Sequence, residues 1–534
     1  MTGMAPERAS RRVTWVLLIV LSAALTAAFR FLALTFANDH FTHLISAQQM
    51  LMAGEWPTRD FLDLGRPLQI LVSAATQRLF GETLLTEAAV VCAAFGLASA
   101  ATAAVVFMAT GSTVAASAAV LVETAAFPRT YGYPKPLALA IGLLLIAHYL
   151  RRPTRGREAL MAAGTAAAFL FRHDLTAFVA AGSLAAVMLA EPAAHWRARL
   201  RAGLTFAAMA SAMAVPYLVY VEVNGGLWNY VATALQQNQR EAGYVWLNPF
   251  ELGPTWEAQL LYAFHLLPVV VLAVCVYDWR RGRRDWETRF AICAAVLAVA
   301  ANFGLIRHLL SARLPDAAVP AAVLGAWLGH RAWRSGRLVV ALPAHAMLVA
   351  LGVALADYAD IGEHLERARL TRETLTDPGR LLDRVADQTA VLRDRRADPP
   401  SRTAIALDPF FRYLDRCTSE RHRLFLGGFI PEVAYLARRP FAGGGFEHYN
   451  FSSPVNQQRV VQRLGRQLVP FALIPSATAP ELDDDLPLVA AFFHGRYELL
   501  ADLPVGGEER IRIYVDRTLA PAARDPETGW PCFV

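Results

Sequence analysis

The chain has 534 residues, of which 55% are apolar and 18% are charged, and its mean hydropathy is +0.32. This composition excludes an ordinary soluble enzyme, because soluble domains carry about a quarter charged residues. The net charge of +6 comes almost wholly from arginine, since Lys135 is the only lysine. Such a bias indicates coding composition more than a nucleic-acid surface, and we expect no nucleic-acid partner.

Long apolar runs fill residues 13–356, whereas acidic residues and arginines are dense from 357 to 534. We therefore expect a polytopic α-helical membrane domain over 1–356 and a C-terminal α/β domain over 357–534. A membrane-spanning helix needs roughly 17 to 25 residues. The runs that meet or approach this length are 13–36, 83–108, 202–221, 261–278, 290–306 and 338–356. Shorter candidates are 112–127, 136–150 and 316–330.

The apolar stretch 159–190 is interrupted by Arg172, His173 and Asp174. Arginine clusters mark cytoplasmic loops and decide how often this stretch crosses the membrane. These clusters are Arg8, Arg11, Arg12; Arg151, Arg152, Arg155, Arg157; Arg197, Arg199, Arg201; Arg280, Arg281, Arg283, Arg284; and Arg331, Arg334, Arg337. All five clusters lie on the same side of the membrane only if residues 159–190 form a hairpin of two spans. This arrangement predicts about eleven transmembrane helices. A cytoplasmic N-terminus then places the first outer loop, residues 37–82, and the C-terminal domain outside the cytoplasm.

The C-terminal domain is predicted from alternating helix-like and strand-like segments. These segments are a helix near 360–395, a strand at Thr403–Leu407, a helix at Pro454–Leu468, and strands at Pro470–Ile474 and Arg510–Val515. Cys417 and Cys532 are the cysteines of this domain, and either a disulfide or two free thiols fits an extracytoplasmic location. None of the five cysteines has Cys-x-x-Cys spacing, so zinc and thiol redox chemistry have no support.

The first outer loop is unusually rich in polar groups. It reads Asn38-Asp39-His40-Phe41-Thr42-His43, then Gly54-Glu55-Trp56-Pro57-Thr58-Arg59-Asp60-Phe61-Leu62-Asp63, then Arg66-Pro67-Leu68. Asp39 follows the first span, and Asp60 and Asp63 come a short distance later, so several carboxylates can meet at the water–lipid boundary. Residues 67–80 are apolar but too short to span, which predicts an interfacial helix. This arrangement suits a substrate that is half lipid.

These features resemble the GT-C glycosyltransferases, in particular the bacterial family 39-like branch related to protein O-mannosyltransferases and lipid A aminoarabinose transferase. The resemblance lies in the acid after the first span, the Gly54–Phe61 stretch, the basic-Pro-apolar step at Arg66, the interfacial helix and the extracytoplasmic α/β tail. The chain departs from many relatives in one respect. They carry an acidic pair where Asp39 is followed by His40, which weakens any carry-over of metal binding.

The resemblance implies an inverting transfer of a sugar from a polyprenyl-phosphate donor to an envelope acceptor, at the outer face of a bacterial cytoplasmic membrane. It matches Asp39 to the catalytic base, and the simpler alternative is a solvated carboxylate at a helix end. Asp60 assists the acceptor or holds a metal, or only accepts hydrogen bonds from the turn after Pro57. The acceptor class stays open among lipid, glycan and protein. No cofactor is certain, and a divalent cation, Mg²⁺ or Mn²⁺, has Asp39, Asp60 and Asp63 as its obvious ligands.

Growing charge on the leaving phosphate calls for cations. Arg66 aligns with the family's basic residue before proline, while Lys135 and Arg172 lie in other predicted outer loops. For Arg66 and Lys135 the alternative is interfacial snorkelling toward lipid headgroups. Arg172 and Asp174 can also simply neutralise each other. Three further residues are candidates for the same site: His40, Asp63 and Asp174. For Arg307 and His308, at the end of the span 290–306, we favour the simpler interpretation that their side chains lie at the membrane interface.

The rival hypothesis is a transporter or flippase of lipid-linked or polar substrates. A transporter predicts ionisable residues in the middle of spans, broken helices in paired positions and internal repetition. The polar groups of this chain gather instead at the predicted outer ends of the spans. A non-catalytic envelope assembly protein is the third alternative, and the missing acidic partner beside Asp39 is its best support.

Overall fold

A computed structural model of the chain describes residues 4–63, 65–191, 195–245, 256–306, 313–399, 401–446 and 452–534. Contacts divide the chain into two compact units. The helical unit comprises Met1–Leu34, Ala88–Tyr217 and Glu241–Gln388. The mixed unit comprises Thr35–Glu87, Leu218–Arg240 and Thr389–Val534. The first outer loop thus folds with the C-terminal domain.

Each predicted span coincides with a separate helix. These helices are Met4–Leu32, Leu84–Thr110, Thr113–Ala125, Pro134–Arg151, Arg155–Phe171, His173–Leu189, Trp196–Asn224, Trp256–Arg280, Trp286–Asn302, Ala318–Arg334 and Leu338–Tyr358. The described chain has seven segments long and apolar enough to cross a bilayer: Val13–Leu32, Leu84–Thr110, Thr130–Arg151, Trp196–Asn224, Ala258–Arg280, Trp286–Leu305 and Leu338–Tyr358. The protein is therefore a polytopic helical membrane protein. The exact number of crossings stays a prediction, because the other four helices have only 13 to 17 residues.

Local sequence sets the ends of several of these helices. The hydroxyl of Ser112 and the carboxylate of Asp285 accept hydrogen bonds from the backbone N–H groups of Ala115 and Thr288, which caps two helix N-termini. Arg172 has an extended backbone, with φ −170° and ψ 123°, and separates Arg155–Phe171 from His173–Leu189. The predicted break within 159–190 is therefore confirmed.

Small residues allow close helix packing in the core of the helical unit. A Cβ atom on Gly182 would lie 3.0 Å from both Ile146 Cδ1 and Leu297 Cβ, which belong to two neighbouring helices. Such close approach is the usual means by which membrane helices gain packing energy. Buried leucine, alanine and valine side chains surround this point, as in Leu143 and Ala294.

Before its C-terminal part, the mixed unit contains one short turn, two helices of the first outer loop and the start of a third helix. After a 3₁₀ turn at Asn38–His40, helix Phe41–Ala53 ends at Gly54, which adopts the left-handed conformation with φ 67°. The helix predicted over residues 67–80 is present as Pro67–Phe80, with its proline in the first turn, and its interfacial location stays a prediction. Helix Leu227–Val245 begins in this unit.

The C-terminal part of the mixed unit is built on a four-stranded sheet of order β1-β2-β4-β3. Its strands are β1 Leu424–Leu426, β2 Phe471–Pro475, β3 Tyr497–Gly506 and β4 Glu509–Asp516, and a second sheet pairs β5 Ala523–Arg524 with β6 Pro531–Cys532. β1 and β2 are parallel, with Leu424 opposite Phe471, whereas β4 is antiparallel to both β2 and β3. β2 is buried along its whole length. The strands predicted at Pro470–Ile474 and Arg510–Val515 are therefore confirmed.

The helices of the tail are short. They are Ile361–Arg367, Arg372–Thr376, Pro378–Arg393, Arg402–Ala406, Asp408–Cys417, Pro431–Ala437, Pro454–Leu464, Ala479–Asp485 and Pro487–Arg496. The first three replace the single helix expected near 360–395, because Thr371 caps a new helix and Pro378 starts another. A disulfide joins Cys417 to Cys532, 115 residues apart.

The strand predicted at Thr403–Leu407 is wrong, since Arg402–Ala406 is helical. The β-branched Thr403 and Ile405 favour a strand. The hydroxyl of Ser401, however, accepts a hydrogen bond from Ala404 N at 3.1 Å and caps the helix N-terminus. A local cap therefore outweighs the strand propensity of two side chains.

Candidate active site

Asp39 lies in a turn that is joined, together with the helix after it, to the C-terminal part of the chain by hydrogen bonds. The 3₁₀ turn Asn38–His40 continues directly into helix Phe41–Ala53. Asn38 Nδ2 donates a hydrogen bond to the carbonyl oxygen of Phe429 at 3.2 Å. Gln49 pairs with the backbone of Phe441 through two hydrogen bonds of 3.0 and 3.1 Å. The C-terminal domain thereby fixes the position of the first outer loop within the mixed unit.

The Asp39 side chain is half-buried. Within the described part of the chain, its carboxylate has no hydrogen-bond or ion-pair partner. Its backbone carbonyl accepts a hydrogen bond from the hydroxyl of Thr42 at 3.0 Å. A carboxylate that the protein positions but does not neutralise is free to accept a proton from a substrate.

A second acid, Glu432, is buried near Asp39. Its Oε1 accepts a hydrogen bond from Ser401 Oγ at 2.7 Å, and only 1% of the residue is exposed. The pKa of Glu432 is raised to about 7, chiefly by burial; the hydrogen bond from the Ser401 hydroxyl opposes this increase, and the negative charge of Asp39 adds to it. Glu432 is therefore mostly protonated below about pH 7 in the folded protein.

Arg66 lies close to Asp39 through one intermediate hydroxyl group. Its Nη1 atom donates to Thr42 Oγ1 at 3.2 Å, and that hydroxyl donates to the carbonyl of Asp39. The backbone N–H of Arg66 donates to Asp63 Oδ1 at 2.9 Å, which places Arg66 at the start of helix Pro67–Phe80. No carboxylate pairs with its guanidinium among the described residues. The structure thus brings together Asp39, Asp63 and Arg66 of the predicted set.

Asp60 has a different environment. Its Oδ2 accepts hydrogen bonds from the backbone N–H of Trp56 at 2.8 Å and from Arg59 Nε at 2.7 Å. These contacts close the turn after Pro57, as the simpler of the two interpretations expects. In the described ranges, Asp39, Asp60 and Asp63 do not form a group of three possible metal ligands.

Another group of ionisable side chains includes His40, the residue that follows Asp39 in the chain. His40, His43 and Glu87 are fully buried, with the Nε2 atoms of the histidines 3.3 and 2.9 Å from Glu87 Oε1. The pKa of His40 is lowered to about 4, mainly by burial and also by the neighbouring His43, while Glu87 opposes the change. His40 is among the site residues predicted from the sequence, whereas His43 and Glu87 are not. The available signals were the His-x-x-His spacing and an acid in the first turn of an apolar helix.

The other predicted phosphate ligands belong to the helical unit. Lys135 forms an ion pair with Asp316, and Arg172 Nε lies 2.8 Å from Asp174 Oδ1. Lys135 is buried, and Arg172 is partly exposed. We refer to Lys135, Arg172, Asp174 and Asp316 as the Lys135 cluster. Arg307 and His308 lie outside the described residues.

Comparison with known proteins supports the architecture. No protein-family model matches the chain, and no curated protein matches its sequence. Among solved structures, the chain is similar to ArnT from Cupriavidus metallidurans bound to undecaprenyl phosphate. The two chains are 15% identical, with a TM-score of 0.52, over 93% of this chain and 98% of ArnT. This likeness shows that the chain shares the overall fold of that ArnT structure, which confirms the polytopic helical fold with a C-terminal domain that the sequence resemblance implies.

Proposed function

We propose that this protein transfers a sugar from a polyprenyl-phosphate donor to a hydroxyl group of an envelope acceptor, with inversion at the anomeric carbon. The observation that supports this most strongly is that Asp39 is half-buried and Arg66 is joined to its backbone carbonyl through Thr42, while neither charged group has an ion-pair partner among the described residues. The likeness to a solved structure described as bound to undecaprenyl phosphate supports the donor class.

In the proposed reaction, Asp39 accepts the proton of the acceptor hydroxyl as its oxygen attacks the anomeric carbon. The bond between that carbon and the phosphate oxygen breaks, and its electron pair leaves with the polyprenyl phosphate. Arg66 holds the phosphate oxygens as their charge grows, for which a planar guanidinium with two parallel donors is well suited. A single displacement inverts the configuration of the sugar.

The proposed role of Asp39 predicts a severe effect of Asp39→Asn, which keeps the shape of the side chain and removes the base. We expect sugar transfer to fall by about 100- to 10,000-fold, the range of general-base catalysis. The measurement is incorporation of radiolabelled sugar from polyprenyl-phosphate donors into envelope fractions, at equal protein levels.

Two variants provide the comparison for Asp39→Asn. Asp387→Asn changes an exposed acid of the tail that is 3.6 Å from Arg369, and it is expected to retain full activity. Asp60→Asn removes a carboxylate that closes a turn, so a smaller loss is expected than for Asp39→Asn. Equal transfer by the native protein and Asp39→Asn would show that Asp39 is not the base. If no donor in a fair panel supports transfer by the native protein, the transporter hypothesis gains instead.

We also propose that the N-terminus is cytoplasmic and that the chain is inserted in a bacterial inner membrane, with the C-terminal domain outside the cytoplasm. The support is the arginine clustering together with the observed hairpin break at Arg172. A reporter active only outside the cytoplasm should be active when fused after residue 360 and inactive when fused at 155 or 283. The reversed pattern would place the first outer loop, and with it Asp39, on the cytoplasmic side.

A further inference from the structure

The cluster of His40, His43 and Glu87 has the composition and spacing of a metal site. One ring nitrogen each of His40 and His43 and a carboxylate oxygen of Glu87 all lie within 4.8 Å of one another. A tetrahedral zinc ion with bonds of about 2.0 to 2.1 Å separates its ligand atoms by about 3.4 Å. The observed distances to Glu87 Oε1, 3.3 Å from His40 and 2.9 Å from His43, are close to that separation. We infer that His40, His43 and Glu87 bind one Zn²⁺ ion.

The bonding of His40 points to a ligand that the protein itself does not supply. Its ring is 0% exposed, Nδ1 has no hydrogen bond within the described chain, and the contact of Nε2 with Glu87 Oε1 at 3.3 Å does not have hydrogen-bond geometry. Buried polar atoms are nearly always satisfied, so such an atom calls for an explanation. A metal ion bound at Nε2 accounts for the orientation of this nitrogen toward Glu87.

Glu87 poses the complementary problem, because its carboxylate is completely buried. The ion pairs it makes in the described residues are both with histidines, and neither an arginine nor a lysine is among these partners. Buried charges are normally paired or coordinate a metal. A divalent cation neutralises Glu87 while both histidines stay uncharged, as metal ligation requires.

A ring of further hydrogen bonds orients the proposed ligands. Ser73 Oγ donates to Glu87 Oε2 at 2.7 Å, and Gln77 Nε2 donates to Ser73 Oγ at 3.0 Å. The Gln69 amide lies 3.5 Å from His43 Nδ1, the nitrogen opposite the proposed metal. Half a turn of this amide presents its oxygen to an Nδ1–H donor. Metal-binding side chains usually have supporting partners of this kind.

Zn²⁺ suits this set of ligands better than the Mg²⁺ or Mn²⁺ considered from the sequence. Imidazole nitrogen favours zinc and its neighbours in the transition series, whereas Mg²⁺ prefers oxygen. Two histidines and one glutamate also leave the fourth tetrahedral position open. The spacing of the cysteines gave zinc no support, but the proposed ligands are histidines, whose His-x-x-His spacing spans the first turn of a helix.

The metal would act as a positioning element for the first outer loop. His40 directly follows Asp39, and both lie in the turn Asn38–His40. A bond from His40 to zinc therefore ties this turn to helix Leu84–Thr110, which carries Glu87. This inference rests on the buried ligand set and is independent of the proposed sugar transfer.

The test is direct metal analysis of the full-length protein, purified in detergent without a polyhistidine tag. After incubation with ZnCl₂ and removal of free ions by gel filtration, we expect about one zinc per chain in the native protein. His40→Ala, His43→Ala and Glu87→Gln should each retain less than about a fifth of that amount. His494→Ala is the matched control, because His494 is an exposed histidine paired with Asp483, and it should keep full occupancy.

A spectroscopic measurement covers the case in which a buried variant fails to fold. His40→Cys keeps a zinc-binding atom at the same position. The cobalt-substituted native protein should show tetrahedral Co²⁺ absorption, and His40→Cys should add a thiolate-to-cobalt charge-transfer band. Substoichiometric zinc in the native protein would overturn the inference, as would full zinc occupancy in a folded His40→Ala/His43→Ala variant. Stoichiometric iron in place of zinc would overturn the choice of metal.

Discussion

Two residues of the first outer loop, Asp39 and Arg66, differ from the cations of the Lys135 cluster in whether their charges are paired. In the Lys135 cluster, each cation considered for phosphate binding already has a carboxylate partner, Asp316 for Lys135 and Asp174 for Arg172. In the first outer loop, Asp39 and Arg66 have no oppositely charged partner within the described residues. Charges that already neutralise each other are a structural feature first, whereas charges without such a partner are available to a substrate. The comparison therefore favours Asp39 and Arg66 for chemistry.

The largest effect after that of Asp39→Asn is expected for Arg66→Ala. Loss of a preorganised donor to a charge that grows in the transition state costs about 100- to 1,000-fold in rate. Arg66→Lys should retain part of the activity, because an ammonium supplies charge without the two parallel donors. Initial rates of sugar transfer at limiting and saturating donor concentrations measure both. Arg78→Ala, an exposed arginine of the same helix, is the control. Full activity of Arg66→Ala would remove the distinction between the two regions.

The Lys135 cluster can be tested by removing one charge and then both. Loss of one partner of a buried ion pair costs about 3 to 5 kcal/mol, and apolar replacement of both partners restores most of it. We expect Lys135→Met to lower the thermal unfolding midpoint in detergent, and the double variant Lys135→Met/Asp316→Leu to recover it. Sugar transfer by the recovered double variant decides the function. Restored activity supports a structural pair, whereas a stable but inactive protein assigns Lys135 to the phosphate.

The smallest effect concerns the acid that accompanies Asp39. The pKa of Glu432 is about 7 in the folded protein against 4.5 as its ordinary value, so the unfolded chain releases this proton first as pH rises. The contribution of Glu432 to the free energy of unfolding therefore falls between pH 4.5 and 7, by about 3 kcal/mol, and is constant above. Glu432→Gln should be more heat-stable than the native protein at pH 8 by a few degrees, and similar at pH 4.5.

The control for Glu432→Gln is Glu420→Gln, which changes an exposed acid of the same domain. Thermal unfolding of the three proteins in one detergent at pH 4.5, 6 and 8 gives the comparison. Parallel curves for the native protein and Glu432→Gln would show that Glu432 is ionised throughout this range. Such a result would also mean that Asp39 has a charged neighbour.

Much of the membrane architecture follows from local sequence, because a bilayer imposes length and polarity on every span. The polar residues at Arg172 predict the observed helix break, and the short apolar run that ends at Phe80 predicts the helix there. In the tail, β2 and β4 were also recognised from runs of strand-forming residues. The error at Thr403 arose where one capping hydroxyl decided against the propensity of its neighbours.

The composition of the candidate site was only partly predictable. Asp39 and Arg66 were named because the resemblance matched them, but their connection through Thr42 joins residues 24 positions apart. Glu87 lies 44 residues beyond His43, and Glu432 comes from another part of the chain altogether. Contacts of this kind have no local signature, so their partners are found only by folding.

The sequence by itself determined that this is a polytopic membrane protein with a polar first loop, a mixed α/β tail and an acid and an arginine at the motif positions. Those properties depend on hydropathy, period and short spacing, which each segment carries on its own. The tertiary structure alone decided which charges are neutralised and which remain available. It paired Lys135 with Asp316, left Asp39 and Arg66 unpaired within the described chain, and buried Glu87 between two histidines. Burial and pairing are properties of three-dimensional neighbours, and they determine the chemistry of an ionisable group.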